Sequence, residues 1–423
     1  MKIAVLVDLK LSKKSGGHVK YWERISKSLI NKRNKVDLSI FFLGDENKII
    51  LISENIRYII QKPIISSNIL GKFGIDADST DLFPINPFLL LKLKRFDLIH
   101  TTDQFFSMSR TAKLASRLWS IPLTTSIHTD TPPYSRYYVE KIIKNYFSFL
   151  KIDTFLIKKL KIPEYYEKKM FSKIYHYIKK VDHAMVADRI YSPNILSEKT
   201  GNQNISKLQR GIDKRTFFIN SENKRKIFDK YKIDRKDKLL FFSGRVHELK
   251  GAIHLAKIHS RLLKLGYNIS TVLAGEGIHA KECILEAPNK LFLLGYLSTN
   301  DIADLYRSCD LFVFPSRFEI GPNVVIEAKA CGAVCVVSPS GGGKRILRPN
   351  YDGVVINKFT VEEWVKKISD LLSNNDKTKQ IKNYLKSQAN ESWDQIFFRD
   401  LVPYWKKTIR LKNEKNTDIS TSS

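Results

Sequence analysis

Short runs of consecutive hydrophobic residues recur along the first half of the chain. The first run, Ile3 to Val7, is followed by Gly16-Gly17 and then by a segment, His18 to Leu29, with apolar residues at helical spacing. Hydrophobic runs that are continuous rather than alternating are typical of strands buried on both faces of a parallel sheet. We interpret four further runs as strands: Val36 to Leu43, Leu98 to Thr102, Leu123 to His128 and His183 to Ala187.

The same succession of strand and helix patterns begins again after a polar, lysine-rich stretch at 220–238. The strands predicted there are Leu239 to Gly244, Ser270 to Ala274, Leu291 to Leu294, Leu311 to Phe314 and Val334 to Val337. The predicted helices are Ala252 to Leu265, Gly321 to Gly332, Val361 to Leu372 and Trp393 to Leu411. Two α/β domains are therefore expected, with a boundary near residues 200–235.

Composition narrows the class of protein further. The 423 residues include 72 Lys and Arg against 43 Asp and Glu, a formal net charge of +29. This charge favours nucleic acid, an anionic membrane surface or a phosphorylated substrate as partner, and a generally lysine-rich proteome is the alternative explanation. The four cysteines have no disulfide or zinc-ribbon spacing, which fits a reducing compartment. No stretch reaches the roughly 20 apolar residues of a spanning helix, so we expect a soluble or peripheral protein.

One segment, Pro315 to Gly332, combines a strand end, a Gly-Pro turn and two carboxylates. Glu319 and Glu327 stand eight positions apart on either side of that turn. Backbone amides at the start of the following helix can hold a phosphate, and the two glutamates can then reach sugar hydroxyls on either side of it. Glu327 lies among Val, Ile and Ala residues, where an unpaired charge would be costly, and this favours a functional role.

A second segment, Phe242 to Gly251, places two permanent cations after a buried strand. Arg245 and Lys250 are five residues apart in the loop that begins at Gly244. A diphosphate leaving group carries charge that a metal or fixed cations must neutralise, and an Arg fork and a Lys point charge suit that task. The pattern is weak by itself and strong together with the glutamate pair.

With these motifs the chain resembles the retaining family-4 glycosyltransferases (glycosyltransferase group 1), which have the GT-B fold. The order and spacing of the motifs match over nearly the whole chain. Besides the two segments above, the resemblance rests on Gly16-Gly17, Asp97-Leu98-Ile99-His100, Ile121-Pro122, Ser126-Ile127-His128, Arg210-Gly211-Ile212-Asp213, Gly275-Glu276-Gly277, Gly295-Tyr296 and Trp393. It implies two Rossmann-like domains facing across a cleft. The expected parts are an N-terminal domain at 1–205, a linker region at 206–235, a C-terminal domain at 236–385, helices at 386–412 that cross back to the N-terminal domain, and a disordered tail at 413–423.

The resemblance assigns roles in the second domain. Arg245 and Lys250 would neutralise the diphosphate, so no metal ion and no cofactor is expected. Glu327 would bind the ribose hydroxyls, and Glu319 would contact the transferred sugar. The further donor-binding positions are Gly244, Gly321, Pro322, Asn323 and Val324, whose backbone would cup phosphate or sugar.

In the first domain the resemblance points to a glycine pair and a histidine. Gly16 and Gly17 would let the backbone approach the donor, because glycine lacks a Cβ. His128, with Asp130 two residues later, would contact the donor sugar near the reacting carbon. The alternative is a histidine that only caps the end of a strand.

One loop departs from the family pattern. Many relatives carry an acidic residue shortly after its Gly-Gly, whereas here Gly341-Gly342-Gly343 runs into Lys344-Arg345. The acidic residue of the usual contact is therefore missing, and the two basic residues would add positive charge near the phosphates.

Two other motifs point to different chemistry. Asp76-Ala77-Asp78 has the spacing of the metal-binding pair of GT-A transferases, but no apolar strand precedes it. The loop Gly275-Glu276-Gly277 satisfies a loose dinucleotide fingerprint after a strand, but it opens no convincing helix. Neither motif outweighs the resemblance.

The segment from Lys141 to Lys180 is basic and rich in aromatic residues. It holds 11 Lys and 3 acidic residues, a balance of +8. Apolar and aromatic residues among lysines suit an anionic bilayer interface, and a helical pair with a solvated lysine face is the alternative. Such residues can also stack on single-stranded nucleic acid, but no recognisable nucleic-acid-binding module accompanies them.

The expected function is transfer of a hexose-type sugar from a nucleoside diphosphate to an acceptor hydroxyl, with retention at the anomeric carbon. The expected partners are a nucleotide sugar, an anionic membrane surface and a glycan or glycolipid acceptor, such as a precursor of lipopolysaccharide or capsule. We expect a cytoplasmic protein, peripheral on the inner face of the cytoplasmic membrane. The alternative function is a non-catalytic GT-B scaffold that binds nucleic acid through its basic surface.

Overall fold

The computed structural model describes the chain except residues 13–14, 33–34, 70–78, 149–151, 187–190, 221–223, 341 and 422–423. It divides into two compact units. The first unit comprises Met1–Gln209 and Trp393–Ser423, and the second comprises Arg210–Ser392. None of the helices in the described ranges is both long enough and apolar enough to span a membrane.

The first unit is built on an eight-stranded sheet. Its strands are β1 (Lys2–Lys10), β2 (Asp37–Leu43), β3 (Lys48–Ser53), β4 (Ile56–Gln61), β5 (Leu98–Thr101), β6 (Leu123–Ser126), β7 (His183–Val186) and β8 (Ile205–Lys207). They lie in the order β3-β4-β2-β1-β5-β6-β7-β8. The pairs are parallel except β3 with β4. From β1, the strands β2 to β4 are added on one side of the sheet and β5 to β8 on the other. The switch point between β1 and β5 is where α/β proteins bind ligands.

In the described part of the first unit, six helices connect these strands. They are α1 (Gly17–Ser28), α2 (Pro87–Leu93), α3 (Ser107–Trp119), α4 (Thr131–Phe147), α5 (Ile162–Ile178) and α6 (Pro193–Thr200). Helix α1 is amphipathic, because Val19, Trp22 and Ile25 are fully buried while Gly17 and Lys27 are exposed. A short π-helical turn, Phe155–Lys159, precedes α5.

The second unit is built on a six-stranded parallel sheet. Its strands are β9 (Lys238–Ser243), β10 (Ile269–Ala274), β11 (Leu291–Gly295), β12 (Leu311–Phe314), β13 (Cys335–Val337) and β14 (Val354–Val355), in the order β11-β10-β9-β12-β13-β14. Its helices are α7 (Lys224–Lys230), α8 (Ala252–Lys264), α9 (Ala280–Glu286), α10 (Thr299–Ser308), α11 (Asn323–Ala330), α12 (Val361–Ser373) and α13 (Asn375–Lys386). The strand order reverses between β9 and β12, so the loops that follow these two strands meet at one edge.

The last segment of the chain belongs to the first unit. It forms α14 (Trp393–Ile396), a π-helical turn over Phe397–Leu401, and α15 (Val402–Thr421). Trp393, Phe397, Leu401 and Trp405 are buried in the same core as Val5, Trp22 and Ile40. Helix α15 extends to Thr421, so residues 413–421 are helical where the sequence predicted a disordered tail. The Nε atom of Arg410 lies 3.6 Å from the Glu414 carboxylate one turn later, a pairing that supports a helix.

The division of the chain differs from the predicted boundaries. The region 206–235 was expected to be a linker, but Ile227, Phe228 and Ile233 are buried in the core of the second unit. Their burial makes α7 part of that unit, which begins at Arg210. The predicted strands of both halves are confirmed within about three residues, and with them the two Rossmann-like parallel sheets.

Candidate active site

The loop after β9 carries Arg245 along a fixed path. The Gly244 amide donates to the Ala274 carbonyl at 2.9 Å, and the Val246 amide donates to the Glu276 carbonyl at 2.9 Å. A Cβ on Gly275 would lie 1.9 Å from the Gly244 oxygen. The glycines of Gly275-Glu276-Gly277 therefore allow two loops to touch, which explains them without a dinucleotide. Between these anchors, the Arg245 side chain is half-buried at the edge of the sheet.

Gly251 allows the loop that carries Lys250 to pack closely on the segment that carries Glu319. Gly251 ends the short turn Glu248–Lys250 with φ of +79°, and a Cβ there would lie 2.4 Å from the Pro315 oxygen. The loop after β9 thus packs directly on the end of β12. The result is an ion pair between Lys250 Nζ and Glu319 Oε1 at 2.6 Å, with both side chains mostly buried.

The Glu319 carboxylate has a second contact in the same place. The Ser316 hydroxyl lies 3.2 Å from Glu319 Oε1, and the Arg317 amide donates to the Leu249 carbonyl at 3.1 Å. The two motifs singled out in the sequence therefore form one cluster at the carboxyl ends of β9 and β12. Sequence reasoning gave Ser316 no role, although it stands in the matched Pro315-Ser316 motif.

Helix α11 begins at this cluster without a side-chain cap among the described residues. Its first amides are thus placed to bind the oxygens of a ligand. The Oδ1 atom of Asn323, the first residue of the helix, is buried and accepts no hydrogen bond from the described residues. Glu327, one turn further on, is 3 % exposed. Its negative charge helps raise the pKa of the fully buried Tyr306, after the larger effect of burial.

The loop that departs from the family pattern lies against the start of α11. A Cβ on Gly321 would meet the Arg345 guanidinium at 2.1 Å. Lys329, on α11, holds this loop, because its Nζ donates to the Arg345 carbonyl at 2.8 Å and to Asp352 at 2.7 Å. The expected positive charge is therefore near the predicted donor site. Nothing in the sequence pattern indicated Lys329, whose partners lie 16 and 23 residues downstream. Gly341 lies outside the described residues, as do Asp76 and Asp78.

In the first unit, Gly16 and Gly17 form the start of α1. Gly16 has an ordinary φ of −67°, and a Cβ on Gly17 would meet no atom within 4 Å. The fold itself therefore does not require glycine at position 17, and the space beside it is open. This is compatible with close approach of a ligand to the backbone.

His128 lies two residues after β6 and is 9 % exposed. Its ring stacks on that of His18, the second residue of α1, with 4.9 Å between centroids and 11° between planes. Its Nε2 lies 2.7 Å from the Ser126 hydroxyl. Asp130 is buried and accepts a hydrogen bond from the Tyr191 hydroxyl at 3.2 Å. The structure thus brings His128 and the glycine pair to the same edge of the first sheet.

Comparison with known proteins identifies the second unit. Residues 223–388 match the family model described as glycosyl transferases group 1. Residues 223–388 therefore form a group 1 glycosyltransferase domain. The family predicted from the sequence is confirmed for this part of the chain.

Individual relatives match parts of the chain. An uncharacterized glycosyltransferase of Methanocaldococcus jannaschii is 28 % identical over 47 % of this chain and 53 % of its own length. The N,N'-diacetylbacillosaminyl-diphospho-undecaprenol alpha-1,3-N-acetylgalactosaminyltransferase of Campylobacter jejuni is 31 % identical over 38 % of this chain and 43 % of its own. The chain therefore spans about half of the length of these relatives.

A solved structure gives the fold over the whole length. The Anabaena protein HepE, in complex with UDP and glucose, superposes with a TM-score of 0.62 at 15 % identity and covers 100 % of both chains. The GT-B fold predicted from the sequence is confirmed.

Proposed function

We propose that this group 1 glycosyltransferase moves a sugar from a nucleoside diphosphate to an acceptor hydroxyl, with retention and without a metal ion. The observation that carries the proposal is the cluster at the carboxyl ends of β9 and β12. There Arg245, the Lys250–Glu319 pair and the uncapped start of α11 lie where an α/β sheet binds its ligand. Two cations beside free helix amides suit a diphosphate, and a buried carboxylate suits sugar hydroxyls.

The proposed chemistry needs no protein nucleophile. The bond between the anomeric carbon and the phosphate oxygen breaks, and its electron pair stays on the phosphate. The acceptor oxygen forms the new bond on the same face of the sugar, and its proton passes to the departing phosphate. Arg245 and Lys250 hold the charge that develops on that phosphate. Glu327 binds the ribose, and Glu319 contacts the transferred sugar.

The donor to test first is a UDP sugar. HepE, which shares the fold, is solved with UDP and glucose. The Asn323 carbonyl oxygen at the start of α11 supplies a buried acceptor for a hydroxyl of such a donor. The uncapped amides beside it suit the phosphates.

The acceptor in this proposal is a lipid-linked glycan at the inner face of the cytoplasmic membrane. The name of the Campylobacter jejuni relative describes an undecaprenol-linked substrate. In this chain, the π-helical turn Phe155–Lys159 and the start of α5 present exposed aromatic and lysine side chains. We call Phe155, Tyr165, Tyr166, Lys158, Lys159, Lys168 and Lys169 the basic aromatic surface.

The position of the basic aromatic surface supports a membrane role. Arg136, near the start of α4, pairs with Glu164 at 2.8 Å and Glu167 at 3.3 Å, near the start of α5. These pairs hold the starts of the two helices together. Since α4 begins three residues after His128, an acceptor held at the surface would be on the same part of the first unit as His128. Lysines among exposed rings suit anionic headgroups.

The deciding experiment is a donor panel. We expect one class among UDP, GDP and ADP sugars to raise the melting temperature, since a ligand that binds only the folded chain stabilises it. Transfer from that donor should continue in excess EDTA. If no nucleotide sugar changes the melting temperature, the proposal is wrong. A strict requirement for Mn²⁺ or Mg²⁺ would instead favour a metal-binding role for Asp76 and Asp78.

A further inference from the structure

A stack of three side chains lies beside the segment that carries Glu319 in the second unit. The guanidinium carbon of Arg317 lies 4.5 Å from the centroid of the Phe359 ring. The Phe359 ring also stacks on the ring of His254, with 4.1 Å between centroids and 19° between planes. We call Arg317, Phe359 and His254 the arginine stack.

The arginine stack joins three segments that are far apart in the sequence. Arg317 follows β12 and stands two residues before Glu319. His254 lies in the first turn of α8, four residues after Lys250. Phe359 stands two residues before α12. Each partner of the Lys250–Glu319 ion pair is therefore within four residues of a member of the stack.

The core of the second unit fixes the two rings of the arginine stack. Trp364, on α12, is fully buried and packs edge-on to His254, with 5.6 Å between centroids and 90° between planes. Its Nε1 donates to the Lys358 carbonyl at 3.1 Å and so holds the residue next to Phe359. Phe359 and His254 are half-buried, whereas Arg317 is exposed. The two rings therefore form a fixed surface on which the exposed guanidinium lies.

The His254 ring is neutral beneath the arginine. Its pKa is lowered to about 4, first by burial and then by the positive charges of Arg317 and Lys257, against the opposing effect of Glu362. Its Nε2 is buried and forms no hydrogen bond with the described residues. At pH 7 the stack therefore holds one positive charge, that of Arg317, over two uncharged rings. A guanidinium over the face of an aromatic ring is attracted to it.

We propose that Arg317 and Phe359 are positioning residues that hold Glu319 at the Lys250 ammonium. The Arg317 amide is hydrogen-bonded to the Leu249 carbonyl, in the turn that carries Lys250, so its side chain gives the segment a further attachment. With both attachments in place, the backbone two residues before Glu319 is fixed on each side. The role of Glu319 towards the sugar rests on the proposed function, whereas the attachment of the segment does not.

The first test needs no donor and measures hydrogen exchange of the Arg317 amide in the full chain. Phe359→Leu keeps an apolar side chain and removes the ring. The exchange rate should rise about two- to fivefold, the size expected for an exposed contact between a cation and a ring. Phe359→Tyr keeps the ring and should exchange as the parent does. An unchanged rate in Phe359→Leu, or a raised rate in Phe359→Tyr, would overturn the inference.

A matched control lies in the same unit. The guanidinium carbon of Arg348 is 5.8 Å from the centroid of the Tyr384 ring, which is half-buried like that of Phe359. Tyr384→Leu removes a ring from a pair of the same kind and should leave the exchange of the Arg317 amide unchanged. If Tyr384→Leu raises this exchange as Phe359→Leu does, the effect is a general loosening of the unit and the inference fails.

A kinetic test uses UDP-glucose. Phe359→Leu and Arg317→Gln should each lower kcat about two- to fivefold without weakening UDP binding, because Glu319 is displaced and the proposed nucleotide contacts remain. The double variant should lose no more than either single variant, since both changes remove one contact. An unchanged kcat in Phe359→Leu, or losses that multiply in the double variant, would overturn the positioning role. If the parent neither binds nor uses UDP-glucose, the proposed donor is wrong, while the exchange result still decides the attachment.

Discussion

Lys250 and Glu319 are 69 residues apart in the sequence and lie 2.6 Å apart in the structure. Each was expected to contact a different part of the donor, Lys250 the diphosphate and Glu319 the sugar. Their pairing means that Glu319 also fixes where the Lys250 ammonium lies before any donor binds. The two expected roles are therefore coupled through this ion pair.

Because Glu319 pairs with Lys250, substitutions of Glu319 and Glu327 should affect UDP affinity differently. Glu319→Gln should lower transfer by about 100-fold, comparable with loss of a preorganised polar contact, while UDP affinity stays the same or rises because Lys250 is released. Glu327→Gln should weaken UDP binding. Calorimetric titration with UDP measures both variants. Equal loss of UDP affinity in the two would contradict the division of roles.

The two cations can be tested by measuring turnover. Arg245→Ala and Lys250→Ala should each lower turnover by roughly 100-fold or more, because the charge of the departing diphosphate loses a fixed partner. Arg348→Ala provides a control in the second unit, since Arg348 is exposed and its guanidinium lies 5.8 Å from the Tyr384 ring. Near-normal turnover of both test variants would remove them from the site.

Gly251 offers a stability test of the loop contact. Gly251→Ala places a Cβ 2.4 Å from the Pro315 oxygen, whereas Gly266→Ala at φ of +85° meets nothing within 4 Å. Both changes cost the left-handed penalty of about 1 kcal/mol, so the clash should appear as an additional loss of about 2 kcal/mol or more in Gly251→Ala. Hydrogen exchange of the β9 and β12 amides measures it. Equal losses in the two variants would show that the loops do not touch.

Stability should fall in acid partly because of His100. Its pKa is about 3 in the folded chain and 6.5 without the fold, owing first to burial and then to His183. The unfolded chain therefore binds the proton first, so this contribution is complete above about pH 6.5 and is lost as the pH falls towards 3. Between pH 7 and pH 5 the loss should be about 2 kcal/mol.

Denaturant unfolding at the two pH values checks this. His100→Gln should reduce the difference between them by most of that amount. His176→Gln should change it little, because His176 is exposed. A His100→Gln variant with the same pH dependence as the parent would refute the assignment.

The basic aromatic surface predicts salt-sensitive binding to anionic vesicles. Each lysine contributes on the order of 1 kcal/mol near such a surface, and aromatic side chains should leave a salt-resistant fraction. Changing Lys158, Lys159, Lys168 and Lys169 together to Glu should release the protein from vesicles while donor hydrolysis continues. Sedimentation with phosphatidylserine vesicles measures binding.

The control has the same change of charge elsewhere. Lys257, Lys366, Lys367 and Lys379 are exposed on helices of the second unit. Their replacement by Glu should leave vesicle binding largely intact. If both quadruple variants bind equally, or if the parent prefers single-stranded RNA to vesicles at matched salt, the membrane role is wrong.

Much of the fold was predictable, because a buried parallel strand needs a continuous hydrophobic run and these runs are unambiguous. Strand β3 was missed although Ile49 to Ile52 form a hydrophobic run, because Ile49 and Leu51 are exposed on an edge strand and the run is therefore not that of a strand buried on both faces. Helix α7 was missed because Ile227 and Phe228 are its only large hydrophobic residues among lysines. In both places the secondary structure depends on packing against another part of the fold, which the local sequence does not reveal.

The candidate site was predictable only as a set of residues. The motifs named Arg245, Lys250, Glu319 and Glu327, and the roles assigned to them stay predictions. The contacts among them depend on which strands are neighbours in the sheet. Strands β9 and β12 are neighbours, although β10 and β11 lie between them in the sequence. The contact between Arg345 and the backbone of Gly321 likewise follows from the path of a loop that carries no hydrophobic pattern.

The buried position of Trp405 has a consequence for synthesis. Trp405, whose ring packs edge-on to His100, is made only after the 183 residues of the second unit. At roughly 5–20 residues per second, the first unit waits on the order of 10–40 s on the ribosome with part of its core open. A nascent chain stalled before residue 393 should therefore expose the Trp22 side of the sheet, where chaperones can bind it, even though most of that unit has already emerged.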